Sequence, residues 1–277
     1  MEKDNNNNNY NDNQEGGERE LNDQEKKWAA QQEELRLKLI TNDTEPWSNS
    51  LESTKKLRYI AGLDVSYDKN HPNKGCAALV IYDLLSQKLV YQDTCFVNVC
   101  IDYSAGFLAF REVDFLLNLV LKFHTNEPQE EPIQPQVWLV DGNGLLHPRK
   151  FGLACHLGVL MDQPTIGISK NPYFFQHGPT NKARFKKDLE GALHHRGDQF
   201  EILYNDNHNQ QVMGVALKTV EHAKNPVYVS IGHRVSLKTA VKVVLKCCLN
   251  FKNPEPLRQA DMISKEALRK TIREKSL

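Results

Sequence analysis

The sequence predicts an α/β fold, a single mixed β-sheet covered by helices, from three features. Strand-like segments joined by a short turn form an antiparallel meander early in the folded region. Short apolar strands then alternate with helical segments, the pattern of a sheet with parallel strands and helices on its faces. Composition agrees: 40% hydrophobic and 25% charged residues in 277 are globular proportions, not those of collagen, coiled coil or a membrane bundle.

In chain order, residues 1–23 carry the run Asn5 to Asn9, then Asn11 and Asn13. They lack the apolar surface that would offset the entropy of ordering, and a disordered tail is expected. Residues 24–277 are expected to form the folded domain. Gln24 to Ile40 is rich in helix formers, with Trp28, Leu35 and Leu39 near helical spacing, so a peripheral helix is predicted. After a polar connection from Thr41 to Thr54, apolar runs at Tyr59 to Asp64, Cys76 to Tyr82 and Lys88 to Val97 read as strands. The short turn from Asp83 to Gln87 makes the last two antiparallel. Gly106 to Phe123 reads as a helix, Glu127 to Gln136 as a loop and Val137 to Asp141 as a buried strand. Pro148 to Met161 reads as a helix and Thr165 to Ser169 as a strand. Phe174 to Asp198 is a basic insertion of mixed character, in which Lys182 to Lys187 is either a solvated face or a nucleic-acid contact. Strands at Phe200 to Tyr204, Val212 to Thr219 and Val227 to Ile231 precede a helix from Leu237 to Leu249. Beyond Leu249 no element is predicted.

The 35 basic and 35 acidic residues cancel, but unevenly. Residues 1–45 hold 12 acids and 6 bases, leaving 29 bases and 23 acids in residues 46–277. The folded part is mildly basic and permits an anionic partner. No apolar stretch reaches membrane-spanning length and the N-terminus is polar and acidic, so no membrane association is expected. The expected setting is intracellular, the cytoplasm first, with nucleus or nucleolus as alternatives. Six cysteines without a CxxC pair are expected as reduced thiols.

Two segments share a grammar: IAGLD ends at Asp64 and VWLVD at Asp141, each placing a carboxylate where an apolar strand runs out. The carboxyl ends of strands are where open α/β sheets bind ligands. A lone Asp there is equally a turn or cap residue, but two neighbouring carboxylates need a cation or a shared proton. Oxygen ligands without a Cys or His pair favour Mg²⁺ or Mn²⁺ over zinc. Glu112 lies on the polar side of a helix whose Phe107, Leu108, Phe110 and Leu116 face inward; alone, it is a solvated carboxylate. In DGNGLLHP, Gly142 and Gly144 let backbone approach a ligand, while His147 is open to roles as base, ligand or phosphate contact, or to none. Lys170 ends the strand TIGISK on the same sheet edge; a strand-end lysine is ordinarily solvated, but beside a carboxylate-held metal it is placed to grip a phosphate. In SIGHRVS, His233 reads as a core or capping histidine, or as a group that orients water or binds a metal.

The segments GLDVSY, YSAGFLAFRE, VDGNGLLHPRKFGLACHLGVLMDQPTIGISK, SIGHRVSL and PEPLRQAD, in this order and spacing, resemble the endonuclease V family. The resemblance spans about Leu35 to Ser276. It implies an RNase H-like fold and Mg²⁺-dependent cleavage of nucleic acid at the second phosphodiester 3′ to inosine, leaving 3′-hydroxyl and 5′-phosphate ends. It puts the carboxylate set on Asp64, Glu112 and Asp141, the basic catalytic positions on Lys170 and His233, and the strand-end histidine on His147. The tyrosine that wedges into the gap left by a flipped base falls on Tyr103. A pocket for that base is expected from the backbone of Gly142 to Leu145, with Gly142, Gly144 and Leu145 as its members, closed by Leu108. Bacterial relatives carry the tyrosine in Pro-Tyr-Ile-Pro, whereas this chain reads Asp102, Tyr103, Ser104, Ala105. A softer, partly acidic wedge implies an already open strand, single-stranded RNA before duplex DNA. A monomer is expected. The readings kept beside this one are a deoxyinosine repair enzyme, an RNase H-like nuclease that ignores the base, and an inert nucleic-acid-binding module.

Overall fold

A computed structural model describes residues 20–50, 57–126, 133–171, 181–206 and 209–274. The asparagine run lies outside the described residues, as do most of the Glu127 to Gln136 loop and the start of the basic insertion. Eight strands form one sheet: β1 (Tyr59–Tyr67), β2 (Lys74–Asp83), β3 (Lys88–Asn98), β4 (Val137–Asp141), β5 (Thr165–Ser169), β6 (Gln199–Asp206), β7 (Asn209–Leu217) and β8 (Val227–His233). Their order is β3-β2-β1-β4-β5-β8-β7-β6. β1, β4 and β5 are parallel, and the remaining pairings are antiparallel. Among the described residues six α-helices accompany them: α1 (Asp23–Arg36), α2 (Leu108–Asn126), α3 (Leu153–Met161), α4 (Lys182–Ala192), α5 (Leu237–Cys247) and α6 (Glu255–Glu274).

The central strands are apolar on both faces because both are covered. Successive side chains alternate, so Ile60, Val137, Leu139 and Ile166 enter one core with Val241 and Val244 of α5. Ala61, Leu63, Trp138 and Val140 enter the other with Leu116 and Leu119 of α2 and Leu157 of α3. Among the described residues no helix is long and apolar enough to cross a membrane. All six cysteines are free thiols, as expected.

The differences from the sequence reading have local causes. α3 begins at Leu153 and not near Pro148, because Lys150 takes a left-handed φ of 54° and Gly152 is the N-cap. α1 is not peripheral: Leu35 packs with Phe151 and Cys155, and Glu25 and Gln32 are buried. α4 turns Phe185 and Leu189 inward; its bases pair weakly along the helix, Arg184 with Asp188 and Lys186 with Glu190 at 3.9 Å, as on a solvated face. The largest omission is α6. Its buried Leu257, Ala260, Ser264 and Leu268 recur at helical spacing after Pro254 and Pro256, which is a helix-start signal.

Candidate active site

The parallel register gathers the first groups. Leu63 pairs with Val140 and Asp141 with Ile168, so Asp64, Asp141 and Lys170 reach one edge of the sheet. β1 does not end at Asp64 but runs on to Tyr67 beside β2 alone; the carboxylate lies where its parallel neighbour stops. α6 then crosses β1 at Gly62, where a Cβ would fall 2.5 Å from the backbone carbonyl of Pro256. That close approach, possible only for glycine, carries Asp261 and Ser264 over the strand. Carboxylate oxygens of Asp64, Asp141 and Asp261 lie within 4.8 Å of one another.

Lys170 Nζ donates to Asp141 Oδ2 at 2.7 Å and to Asp261 Oδ1 at 3.1 Å, while Lys265 Nζ donates to Asp261 Oδ2 at 2.7 Å. Asp64 Oδ2 lies 3.0 Å from Ser264 Oγ and 3.2 Å from Ser66 Oγ, which are themselves 2.8 Å apart. Burial, then the negative charge of Asp141, holds the Asp64 carboxyl well above the usual range despite Lys170. Glu112 is pushed up to about 8, first by burial and then by Asp64 and Asp141, against the opposing hydrogen bond from Tyr67. Its distance to the Tyr67 hydroxyl is 3.1 Å, so it is neither solvated nor in the ring of three. It stands behind, close enough to feel the ring's charge. Burial works against the Lys170 ammonium, but Asp141, Asp64 and Asp261 outweigh it and raise its pKa. For Asp261 burial is outweighed by Lys170 and Lys265, and the carboxyl stays below its usual range. An all-oxygen ring of three carboxylates, in which burial and then the charge of Asp141 hold the Asp64 carboxyl above its usual range, fits a hard divalent cation, which would offset that charge.

Beside the ring, Asn143 leads into a pocket of about 90 Å³ lined also by Gln32, Tyr103, Leu108, His147 and Leu153. Tyr103 is 48% exposed at its mouth, and Leu108 forms part of the wall. Gly142, Gly144 and Leu145 do not line it. Their N–H groups are engaged by Ile168 O, Ser230 Oγ and Ile231 O at 2.9, 2.9 and 2.7 Å. Asn143, whose Oδ1 accepts from Ser169 Oγ at 3.0 Å, is the member of this loop that faces the pocket. His147 is buried, its Nδ1 accepting from the Arg149 N–H at 3.2 Å and its Nε2 donating to Gly106 O at 3.0 Å. Burial, then the Arg149 charge, lowers its pKa to about 3; a neutral ring with both nitrogens engaged is no general base.

His233 is the clearest correction. It pairs with Thr165, at the opposite end of β5 from Lys170, roughly 16 Å away at about 3.3 Å per residue. Its Nδ1 accepts from the Ile40 N–H at 3.2 Å and its Nε2 faces Asp162 at 3.4 Å, and burial lowers its pKa. It is a core histidine that ties the segment before the sheet to α3, and Asp261 is the group that completes the cluster. Asp261 was hidden because α6 was unassigned. The loop around Tyr103 is also less soft than its lack of proline suggests: Ser104 Oγ donates to Glu25 Oε1 at 2.6 Å.

The endonuclease V family profile matches residues 44–262. Endonuclease V of Mus musculus is 41% identical over 245 residues, 88% of this chain and 70% of that protein. The catalytic domain of human endonuclease V superposes with a TM-score of 0.82 at 37% identity, covering 91% of this chain and 99% of that one. Endonuclease V of Ciona intestinalis, solved with a 23mer DNA containing an inosine followed by a ribo-adenosine, gives a TM-score of 0.80 at 31% identity, covering 91% and 100%. The fold is RNase H-like, as the resemblance implied, and with sequence and structure agreeing over nearly its whole length the chain belongs to the endonuclease V family of nucleases.

Proposed function

We propose that this chain is a Mg²⁺-dependent endonuclease, with Mn²⁺ as a substitute ion, that cuts the second phosphodiester bond 3′ to inosine and leaves 3′-hydroxyl and 5′-phosphate ends. The observation that carries the reading is adjacency: the ring of Asp64, Asp141 and Asp261 with Lys170 stands two residues of chain from Asn143, in a pocket whose mouth carries Tyr103. Held by the three carboxylates, the ion would neutralise charge at the phosphorus and lower the pKa of the attacking water. Lys170, steered by Asp141 and Asp261, meets the scissile phosphate and offsets charge developing on its oxygens. Ser66 and Ser264 fix Asp64 in one orientation. Glu112, protonated near neutral pH, limits the negative charge of the cluster. The inosine base, extruded, enters the pocket closed by Leu108, and Tyr103 stacks in the space it leaves.

Single-stranded RNA is the preferred substrate in this reading. Asp102 is exposed beside Tyr103 and would repel a second phosphate backbone, and the Ciona relative was solved on DNA with a ribonucleotide after the inosine. A 2′-hydroxyl beside the scissile bond is the one group there that separates RNA from DNA. Single-turnover cleavage of matched inosine and adenosine oligonucleotides, as RNA, DNA and DNA with one ribonucleotide, tests both parts. Inosine-selective cutting, about tenfold or more faster on single-stranded RNA than on duplex DNA, is expected, the unpaired strand being spared an unpairing step of a few kcal/mol. Equal cutting of inosine and adenosine would favour a nuclease that ignores the base, binding without cutting an inert module, and equal rates on RNA and DNA the deoxyinosine repair reading.

A further inference from the structure

Helix α1 lies outside residues 44–262, over which the family matches, yet it walls the pocket with buried polar groups. Gln32 is 1% exposed. Its Nε2 donates to the carbonyls of Gly106 at 3.2 Å and Phe151 at 3.1 Å, and its Oε1 accepts from Arg149 Nε at 2.6 Å. A carboxamide has two N–H groups, so its donors are fully used. Two turns earlier on the same face, Glu25 accepts from Ser104 Oγ through Oε1 and from the Asn22 N–H through Oε2 at 3.0 Å. Trp28, between them, stacks on Phe110 with ring centroids 5.1 Å apart and leans on Phe107 at 5.6 Å. Three side chains of one helix face thus grip the chain from Ser104 to Phe110, next to Tyr103.

Gly106 is the hub of that grip. It sits at a left-handed φ of 80°, and its carbonyl accepts from Gln32 Nε2, His147 Nε2 and Arg149 Nη2. Tyr103 stands between two cavities that share α1 as a wall. One is the base pocket, with Gln32; the other is a cleft of about 290 Å³ lined by Glu25, Trp28 and Ser104.

We infer that Gln32 is a positioning residue for base recognition: through Gly106 it holds the Tyr103 loop in the geometry an inosine must find, so discrimination against adenosine depends on a helix outside the family's matched span. The inference rests on the pocket reading above. Rigidity paid for in folding costs nothing further on binding, so loosening the loop raises KM while the carboxylate ring keeps kcat.

The test uses the full chain with Mg²⁺ and matched inosine and adenosine oligoribonucleotides. Gln32→Met keeps side-chain length and removes all three hydrogen bonds. It is expected to raise KM for the inosine strand about tenfold and keep kcat within about threefold, so that the inosine-to-adenosine ratio falls about tenfold. Amide exchange at Phe107, whose N–H bonds Ser104 O at 3.0 Å, should quicken in the free protein. Should Gln32→Met not fold, Ser104→Ala, which removes the tie to Glu25, decides by the same ratio and the same exchange. A folded variant with ratio and exchange unchanged overturns the inference alone. A wild type that cuts inosine and adenosine equally overturns the pocket reading and this inference with it.

Discussion

Replacing Glu112 by glutamine should make the metal-free protein more stable at alkaline pH, and the sign follows from burial. Glu112 is 5% exposed, and its pKa rises from an ordinary 4.5 to about 8. Between those values the native state keeps a proton that the unfolded chain has lost, so stability falls as pH rises through the window and levels off above it. At about 1.36 kcal/mol per unit, the full loss is on the order of 5 kcal/mol, a large share of the roughly 5 to 15 kcal/mol that holds a domain together. A carboxamide at this position has no proton to lose. Urea unfolding of the wild type and Glu112→Gln in EDTA should therefore give similar free energies near pH 5. By pH 8.5 the variant should lead by at least about 2 kcal/mol, less than the full loss because Glu112 titrates beside other buried carboxyls and their titrations are shared. The low pKa values of His147, about 3, and His156, about 4, act in the opposite direction, weakening the fold as pH drops below 6.5. They are common to both proteins and cancel in the difference. A difference constant within about 0.5 kcal/mol from pH 5 to 8.5, near the limit of such a comparison, would refute the placement of Glu112 as a buried carboxyl whose ionisation is opposed by burial and by the ring.

Asp64→Ala, Asp141→Ala and Asp261→Ala should each reduce cleavage below about a tenth of wild type while substrate affinity stays within about tenfold, since the loss falls on the transition state; gel assays of cutting and filter binding report the two. Ca²⁺ in place of Mg²⁺ should support binding without turnover, because the larger ion holds its ligands less rigidly. Tyr103→Phe should be nearly silent and Tyr103→Ala should lose roughly 1 to 3 kcal/mol of inosine-directed affinity, the worth of a base stacked on an aromatic ring; an unchanged dissociation constant in the alanine variant excludes stacking. Gly62→Ala should cost about 1 to 3 kcal/mol by overpacking and lower cleavage with it, because a Cβ 2.5 Å from the Pro256 carbonyl displaces α6 and so Asp261; thermal unfolding and rate together check it.

By itself the sequence determined the sheet and most of its strands, because two-sided apolar runs such as VWLVD have nowhere to go but a covered sheet, and it determined that Asp64, Asp141 and Lys170 share an edge, because parallel strands align their ends. It also carried the family, through the unbroken segment from Val140 to Lys170. What pattern could not reach were contacts between elements distant in sequence. Glu112 taken alone reads as solvated, because a helix's polar side is read against water, and only the resemblance put it with the acids; here that side meets Tyr67 behind the ring. The resemblance put a catalytic position on His233, which by its residue context reads equally as a core or capping histidine; β8 runs antiparallel to β5 and delivers it to the far end of the sheet. Asp261 and Ser264 reach Asp64 only where α6 presses on Gly62, some 200 residues away along the chain, and Gln32 meets Gly106 only because α1 folds back onto the loop. Local periodicity fixes which face a residue takes; which partner waits there is decided by how the elements pack, and the site is made of those partners.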